Sequence, residues 1–271
     1  MTESSNALHT VDAVQRTFEV INVLRERDGA GVTEIANEID MSKSGIHKQL
    51  TTLVESGYVV KEDDEYKLGY KFIFEGEHVK RKSSFYNAGA PQIEELARKC
   101  DDFAYLVAVG REAIYCIHIA KGENATATNL QVGDRISPLN SAAGKAVLAT
   151  LSEERKEQLL GEKPTQNTAF TATNESDIES ELASIYKQGV AFEDEENVRG
   201  MRGVASPVTS TDDKVIGSVA VSGPLSLLSD ERFKKELPNL VKQSSNIIEM
   251  KLSLESQKRL QDGSHVPSDF Y

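Results

Sequence analysis

Between Thr33 and Gly69 the chain reads TEIANEIDMSKSGIHKQLTTLVESGYVVKEDDEYKLG, and that stretch leaves few folds open. Ile35, Ala36 and Ile39 have the spacing of a short helix with Thr33 as its N-cap. Met41 closes a tight turn, and Ser42 caps a second helix whose inward face is Ile46, Leu50, Leu53 and Val54. Gly57 stops that helix in the manner of a left-handed C-cap. Alternation at Tyr58, Val59 and Val60, and again at Tyr66 and Leu68, predicts two short strands around a turn, a wing. Nucleic-acid readers use helix, turn, helix and hairpin in this order to lay one helix in the DNA major groove. The outward face of the second helix carries Lys43, Ser44, His47, Lys48 and Thr51. Cations and small hydroxyls suit phosphates and base edges. Together with Thr33 and Ser42 these are the candidate DNA-binding residues, and His47 is read as a base or phosphate contact rather than a plain surface residue.

Charge argues against that reading and has to be weighed. The 271 residues carry a net charge of −12, and up to Lys82 there are 11 Lys and Arg against 15 Asp and Glu. DNA affinity comes largely from phosphate neutralisation, and the wing tip, Glu62-Asp63-Asp64-Glu65, would repel the backbone. The second helix itself is the exception: Lys43, His47 and Lys48 face only Glu55, at its far end. An acidic chain without Trp also suits a salt-rich cytosol, where a Debye length of about 3 Å at 1 M salt screens such repulsion. The rival reading that the acidic wing raises is a protein-interaction adaptor with a degenerate winged helix that no longer binds DNA; Lys43, Ser44 and Lys48 argue against it.

Other classes find less support. No apolar run is long enough to span a bilayer, and the start, MTESSNALHT, lacks the blocks of a signal peptide, so a cytoplasmic protein is expected. Cys100 and Cys116 give no disulfide framework. Cys116 and His118 stand two apart on a predicted strand and so share a face, but a metal site needs more ligands; core packing is expected. Lys145 after Gly144 lacks the rest of a phosphate loop. With no nucleophile–base pair, supported carboxylate pair or metal cluster, neither an enzyme nor a cofactor or metal is expected.

The remaining elements follow from periodicity and punctuation. Ala13 to Arg27 is an amphipathic helix with Val14, Phe18, Ile21, Val23 and Leu24 mostly on one side, stopped by Asp28-Gly29. The winged module thus covers 10–70, and 71–90 is a linker containing a helix. Its Lys80-Arg81-Lys82 cluster suits phosphates or a solvated linker end equally. Pro91 sits in the first turn of a helix through Ile93, Leu96 and Ala97. Phe103–Val109 and Ala113–Ala120 form a hairpin, and Ser141 opens a helix through Val147 and Leu148. Ile178–Lys187 is helical up to Gly189. Gly203–Thr209 and Val215–Ser222 are two more strands, and Ser229 caps a long final helix that Pro238 kinks. Mixed strands and helices predict an α+β domain over 91–257, an antiparallel sheet flanked by helices, before a disordered tail at 258–271.

Three segments resemble the IclR family of transcriptional regulators: MSKSGIHKQLTTLVESGYV, GDRISPLNSAAGKAVLA, and FEDEENVRGMRGVASPV followed by VIGSVAVSGP. The resemblance covers nearly the whole chain, and the acidity suits a haloarchaeal member. It implies an N-terminal winged helix-turn-helix, a linker helix and a GAF-like effector domain, assembled as homodimers or homotetramers on inverted-repeat operators. The implied effector is a small metabolite, and the implied target a sugar or sugar-acid catabolic operon. The family's ligand-contacting positions fall at Ala142, Ala143, Asp194 and Ser222, with Ala220 on the same strand face; some members carry a hydroxyl where Ala220 stands. The residues make chemical sense by themselves: the N–H groups of Ala142, Ala143 and Gly144 start a helix, a ready anion site. Asp194 and Glu196 read as a loop returning over that pocket, and a carboxylate at Asp194 suits a hydroxyl-rich ligand. The alternative is that SAAG only packs a helix on the sheet and Asp194 caps a turn.

Overall fold

The computed structural model describes residues 10–125, 129–160, 167–172 and 174–261. It divides into two compact units, which meet between Lys80 and Arg81.

The first unit contains α1 (Asp12–Arg27), α2 (Val32–Glu38), α3 (Lys43–Glu55), β1 (Val59–Glu62), β2 (Glu65–Leu68) and most of α4 (Lys71–Lys82). Asp28 takes a left-handed conformation and ends α1 by donating its N–H to Leu24 O. The hairpin pairs Val59 with Leu68 and Glu62 with Glu65, and Ala30 bridges to Tyr66. Val20, Val23 and Leu24 of α1 close over Ile35, Ile46, Leu50, Val59 and Tyr66. Burying side chains of this size contributes about 1.5–3 kcal/mol each. Two expectations fail here. The N-cap of α2 is Gly31, whose N–H donates to Glu34 Oε2 at 2.8 Å, so Thr33 is already helical. In α1, Val14 and Phe18 stay 51% and 61% exposed. At 100° per residue they project opposite to Val20, Val23 and Leu24, so α1 has two apolar stripes and the core takes one.

In the second unit, α5 (Ser84–Cys100) is followed by β3 (Phe103–Val109), β4 (Ile114–Lys121), β5 (Arg135–Ile136), α6 (Ala142–Leu148), α7 (Glu153–Leu160) and α8 (Glu175–Gln188). Then come β6 (Ala191–Asp194), β7 (Met201–Thr209), β8 (Val215–Pro224) and α9 (Leu237–Gln261). The strands form an antiparallel sheet in the order β5-β4-β3-β8-β7-β6. Ile93 and Leu96 of α5 and Val241 and Ile248 of α9 cover one face, against Leu106, Val204 and Val219. Ala142, Ala146 and Val147 of α6 and Ile185 of α8 cover the other, against Tyr105, Ala205 and Ala220. This is the expected α+β architecture.

Four boundaries differ from expectation. Helix α5 starts at Ser84 behind a Ser83 cap, so 84–90 is not linker and Pro91 lies inside the helix, its lost hydrogen bond offset by the buried stripe from Phe85 to Cys100. A bulge at Ile117 shifts the pairing from Leu106–His118 to Val107–Cys116. Cys116 therefore packs beneath α6 while His118 faces Tyr86 and Glu94 of α5. Ahead of Pro238, which has no N–H to give to Lys234 O, the chain widens into a π turn over Arg232–Glu236. Residues 258–261, expected in the tail, are the last of α9; the rest of that tail lies outside the described residues.

Candidate functional sites

Helix α3 begins at Ser42, whose Oγ accepts the N–H of Gly45 at 3.1 Å. The turn before it places Asp40 at a positive φ of 48°. Ile46, Leu50 and Leu53 are buried, and Lys43, Ser44, His47, Lys48 and Thr51 all reach solvent. Neither Lys43 nor Lys48 has an ion-pair partner among the described residues. Thr51 Oγ1 donates to His47 O at 2.8 Å and lies 3.3 Å from His47 Nδ1. With the hydroxyl hydrogen spent on the carbonyl, Nδ1 is the donor of the ring contact and Nε2 is left as an acceptor. Gln49 turns the other way, donating to Ala13 O and accepting from Thr17, and ties α3 to α1. Thr33 is exposed on α2. At the wing tip Glu62 is held by Lys67 at 2.8 Å, which removes part of the acidic field.

The second site lies on the α6 face of the sheet. Phe103, Ser222, Gly203 and Glu193 are paired in one row across β3, β8, β7 and β6. Tyr105, Ala220, Ala205 and Ala191 form a parallel row on the same face. Adjacent strands stand about 4.8 Å apart, so each row is a short shelf. Gly203 matters for close approach: a Cβ there would meet Glu193 Oε2 at 3.2 Å and Ala142 Cβ at 3.4 Å. The sheet thus has a hollow over Gly203, rimmed by Phe103, Ser222, Glu193 and the first residue of α6. Glu193 is 6% exposed and its Oε1 accepts the N–H of Asn197 at 3.2 Å. Burial pushes its carboxyl up to about 7, the nearby Glu196 adds to the rise, and Lys145 opposes it. Tyr105 is likewise raised, by burial and then by Glu193.

Lys145 of α6 is 2% exposed and donates to Glu181 of α8 at 2.6 Å and to both oxygens of Glu196 at 2.8 Å. It belongs to an internal network, and no anion has access to it. Ser218 Oγ donates to Ala143 O at 3.0 Å and pins α6 on β8. Among the described residues, no group of His, Cys, Asp and Glu has the makings of a metal site.

Residues 79–250 match the bacterial transcriptional regulator IclR C-terminal family, and residues 13–63 match the IclR helix-turn-helix domain. The chain belongs to the IclR family of transcriptional regulators. A probable HTH-type transcriptional regulator ArcR from Halobacterium salinarum is 30% identical over 247 residues, spanning 89% of this chain and 94% of that protein. The crystal structure of Thermotoga maritima IclR superposes with a TM-score of 0.73 at 25% identity, over 89% of this chain and 98% of that one. An IclR homolog complexed with 4-hydroxybenzoate, from Microbacterium hydrocarbonoxydans, shares the fold at a TM-score of 0.78 and 17% identity, over 89% and 99% of the two chains. This IclR-family protein is therefore a DNA-binding transcriptional regulator and not an enzyme, and none of its described helices is long and apolar enough to cross a membrane.

For this IclR-family chain, the structure brings together Ala142, Ala143, Ala220 and Ser222 of the residues expected at the effector site. It separates Asp194 from them. Asp194 closes strand β6, on the opposite face from its neighbour Glu193. There Arg202 holds its carboxylate at 2.8 and 3.2 Å, bonds Asp230 at 2.8 Å and stacks on Phe233. Glu196 does follow in a loop, but Lys145 occupies its carboxylate. Gly144 serves packing instead of a ligand. Its N–H goes to the Ser141 cap at 3.0 Å, and a Cβ would lie 2.1 Å from Ser137 O. Its bareness lets the 137–138 backbone pass, and only the N–H groups of Ala142 and Ala143 are left by the cap. Sequence reasoning does not find Glu193, Tyr105 and Gly203. The alternation of Ala191, Phe192, Glu193 and Asp194 is the available signal, hidden because the segment reads as a loop.

Proposed function

We propose that this regulator binds an inverted-repeat operator sequence-specifically and that a small hydroxylated metabolite controls it, the target being a sugar or sugar-acid catabolic operon. The row Phe103–Ser222–Gly203–Glu193 under α6 carries the reading. A hollow lined by two aromatic side chains, one hydroxyl and one buried carboxyl suits a small ligand presenting hydroxyl groups. The Microbacterium homolog, which shares the fold, holds a hydroxylated acid, and that supports the same ligand size. In this reading Glu193 takes the role expected of Asp194, beside Ala142, Ala143, Ala220 and Ser222. Ser42 positions α3 in the groove, Lys43 and Lys48 meet phosphates, and Ser44, His47 and Thr51 meet base edges, with Thr33 of α2 on the flanking backbone.

A homodimer or homotetramer presents paired copies of α3 to successive half-sites. Support comes from exposed apolar side chains in the first unit, Val14 and Phe18 on α1 and Ile73 and Phe74 on α4, which a second copy would cover. Effector and operator affinities are then coupled reciprocally. A labelled fragment of the adjacent promoter, titrated at several salt concentrations with and without candidate acids, tests this. The expected result is a shift that weakens with salt and changes with one acid, with two or four copies per operator by sedimentation. A fragment that fails to shift at any salt would favour the adaptor.

A further inference from the structure

The row over Gly203 also constrains which ligand it accepts, if it is the effector site as proposed above. Every cation that reaches this part of the unit, among the described residues, is already committed. Lys145 has its ammonium on Glu181 and Glu196. Arg202 points to the other face and holds Asp194 and Asp230. What remains around the hollow is one buried carboxyl, Glu193, with Glu196 close enough to raise its pKa and no counter-ion of its own. The hydroxyls of Tyr105 and Ser222 complete the polar rim. Neither makes a hydrogen bond among the described residues, and no side-chain polar atom shut off from solvent lacks a partner, so both hydroxyls open to the hollow.

We infer that the end of the effector lying against Glu193 and Tyr105 is uncharged and carries hydroxyl groups, and that Glu193 excludes ligands bearing a second carboxylate there. A hydroxyl donates to Glu193 and accepts from Tyr105. A carboxylate in its place has nothing to donate and sets a second negative charge beside a buried acid, where water screens little. A carboxylate remote from Glu193 is unaffected, so the class is hydroxylated monoacids or neutral polyols, and matched diacids are rejected.

Two ligand pairs differ in this end alone: gluconate against glucarate, and 4-hydroxybenzoate against terephthalate. Binding to the full-length protein is measured by titration calorimetry, with Glu193→Gln and Tyr105→Phe alongside. The expected result is that the monoacid of at least one pair binds about tenfold or more tighter than its diacid. In Glu193→Gln, which can donate to a carboxylate, the ratio falls to within about threefold. Tyr105→Phe weakens the monoacid and leaves the diacid unchanged, and it serves as the test should Glu193→Gln not fold. Equal or tighter diacid binding, a ratio unmoved by both variants, or no binding by any of the four probes overturns the inference. Gly203→Leu separates this outcome from failure of the site itself. A diacid whose binding Gly203→Leu abolishes leaves the site standing and removes the ligand class. A ligand that binds Gly203→Leu as well as wild type removes the site.

Discussion

Helix α3 and the sheet face beneath α6 both display polar groups, in opposite states. On α3, Lys43 and Lys48 reach solvent unpaired and every apolar residue of the helix core points away from them. Beneath α6, Lys145, Glu196 and Glu193 are withdrawn from water and each is held by named partners. A surface that meets a polyanion keeps its cations free for phosphates, because counterion release there supplies the affinity. A hollow for a small ligand needs its polar atoms held in place before the ligand arrives, which only a packed interior provides. The first arrangement tolerates the loss of any one group; the second does not.

Replacing a lysine in each place gives the sharpest contrast, and Lys145 has the larger effect. Lys145→Met leaves Glu181 and Glu196 facing each other around a buried apolar side chain, and removing one member of a buried ion network costs about 3–5 kcal/mol. A drop of roughly 10 °C in the melting temperature of the second unit is expected, read by calorimetry. A melt within a degree or two of wild type would mean the network is looser than its 2.6 and 2.8 Å contacts imply.

Glu193 is next. Its folded-state pKa, about 7, lies above the ordinary carboxyl value of 4.5. The folded protein therefore keeps this proton where the unfolded chain has lost it, and the associated stability is present at low pH and lost as pH rises through about 7. Relative to Glu193→Gln, which cannot ionise, wild type should lose on the order of 5 °C in melting temperature between about pH 5 and about pH 8. A pH-independent difference between the two proteins would show that Glu193 is ionised throughout.

The same contrast explains how much is legible from the amino acids alone. Along α3 the inward residues Ile46, Leu50 and Leu53 and the outward set from Lys43 to Thr51 follow from a period of 3.6. A helix face is wide enough that an error of one residue at a cap, as at Thr33, moves no side chain to the wrong side. A strand has a period of two, so one residue decides the face. The carboxylates of Glu193 and Asp194 are adjacent in sequence and lie on opposite sides of the sheet. Once the segment reads as a loop, nothing in the sequence chooses between them. The shared face expected of Cys116 and His118 fails for a related reason: the bulge at Ile117 breaks the alternation, and bulges leave no fixed residue signature. Helix α7 and the two-residue β5 escape a sequence reading because neither has a repeating apolar pattern.

On α3 the corresponding change is milder. Lys48→Ala removes one free cation and leaves the helix intact, so operator affinity should fall by about tenfold and the slope of log affinity against log salt by about one. The melting temperature should stay within a degree or two, since the side chain is exposed and unpaired. An unchanged affinity would mean that α3 lies with another face toward the groove.

The smallest effect is expected at Asp194, and it tests the face assignment directly. Asp194→Asn removes a charge from the Arg202 pair, whose aspartate is half exposed to water, while Asp230 and the Leu228 carbonyl continue to hold the guanidinium. Solvent-exposed pairs of this kind contribute about 0–1 kcal/mol. Stability should fall by no more than that, and the metabolite-dependent change in operator binding should persist, because the sheet itself stands between Asp194 and the hollow. Glu193→Gln, one residue away, should alter that response. If Asp194→Asn abolished the response while Glu193→Gln preserved it, the ligand would be bound on the α9 face, where Arg202 and Phe233 sit, and the hollow over Gly203 would be only a close packing of α6 against the sheet.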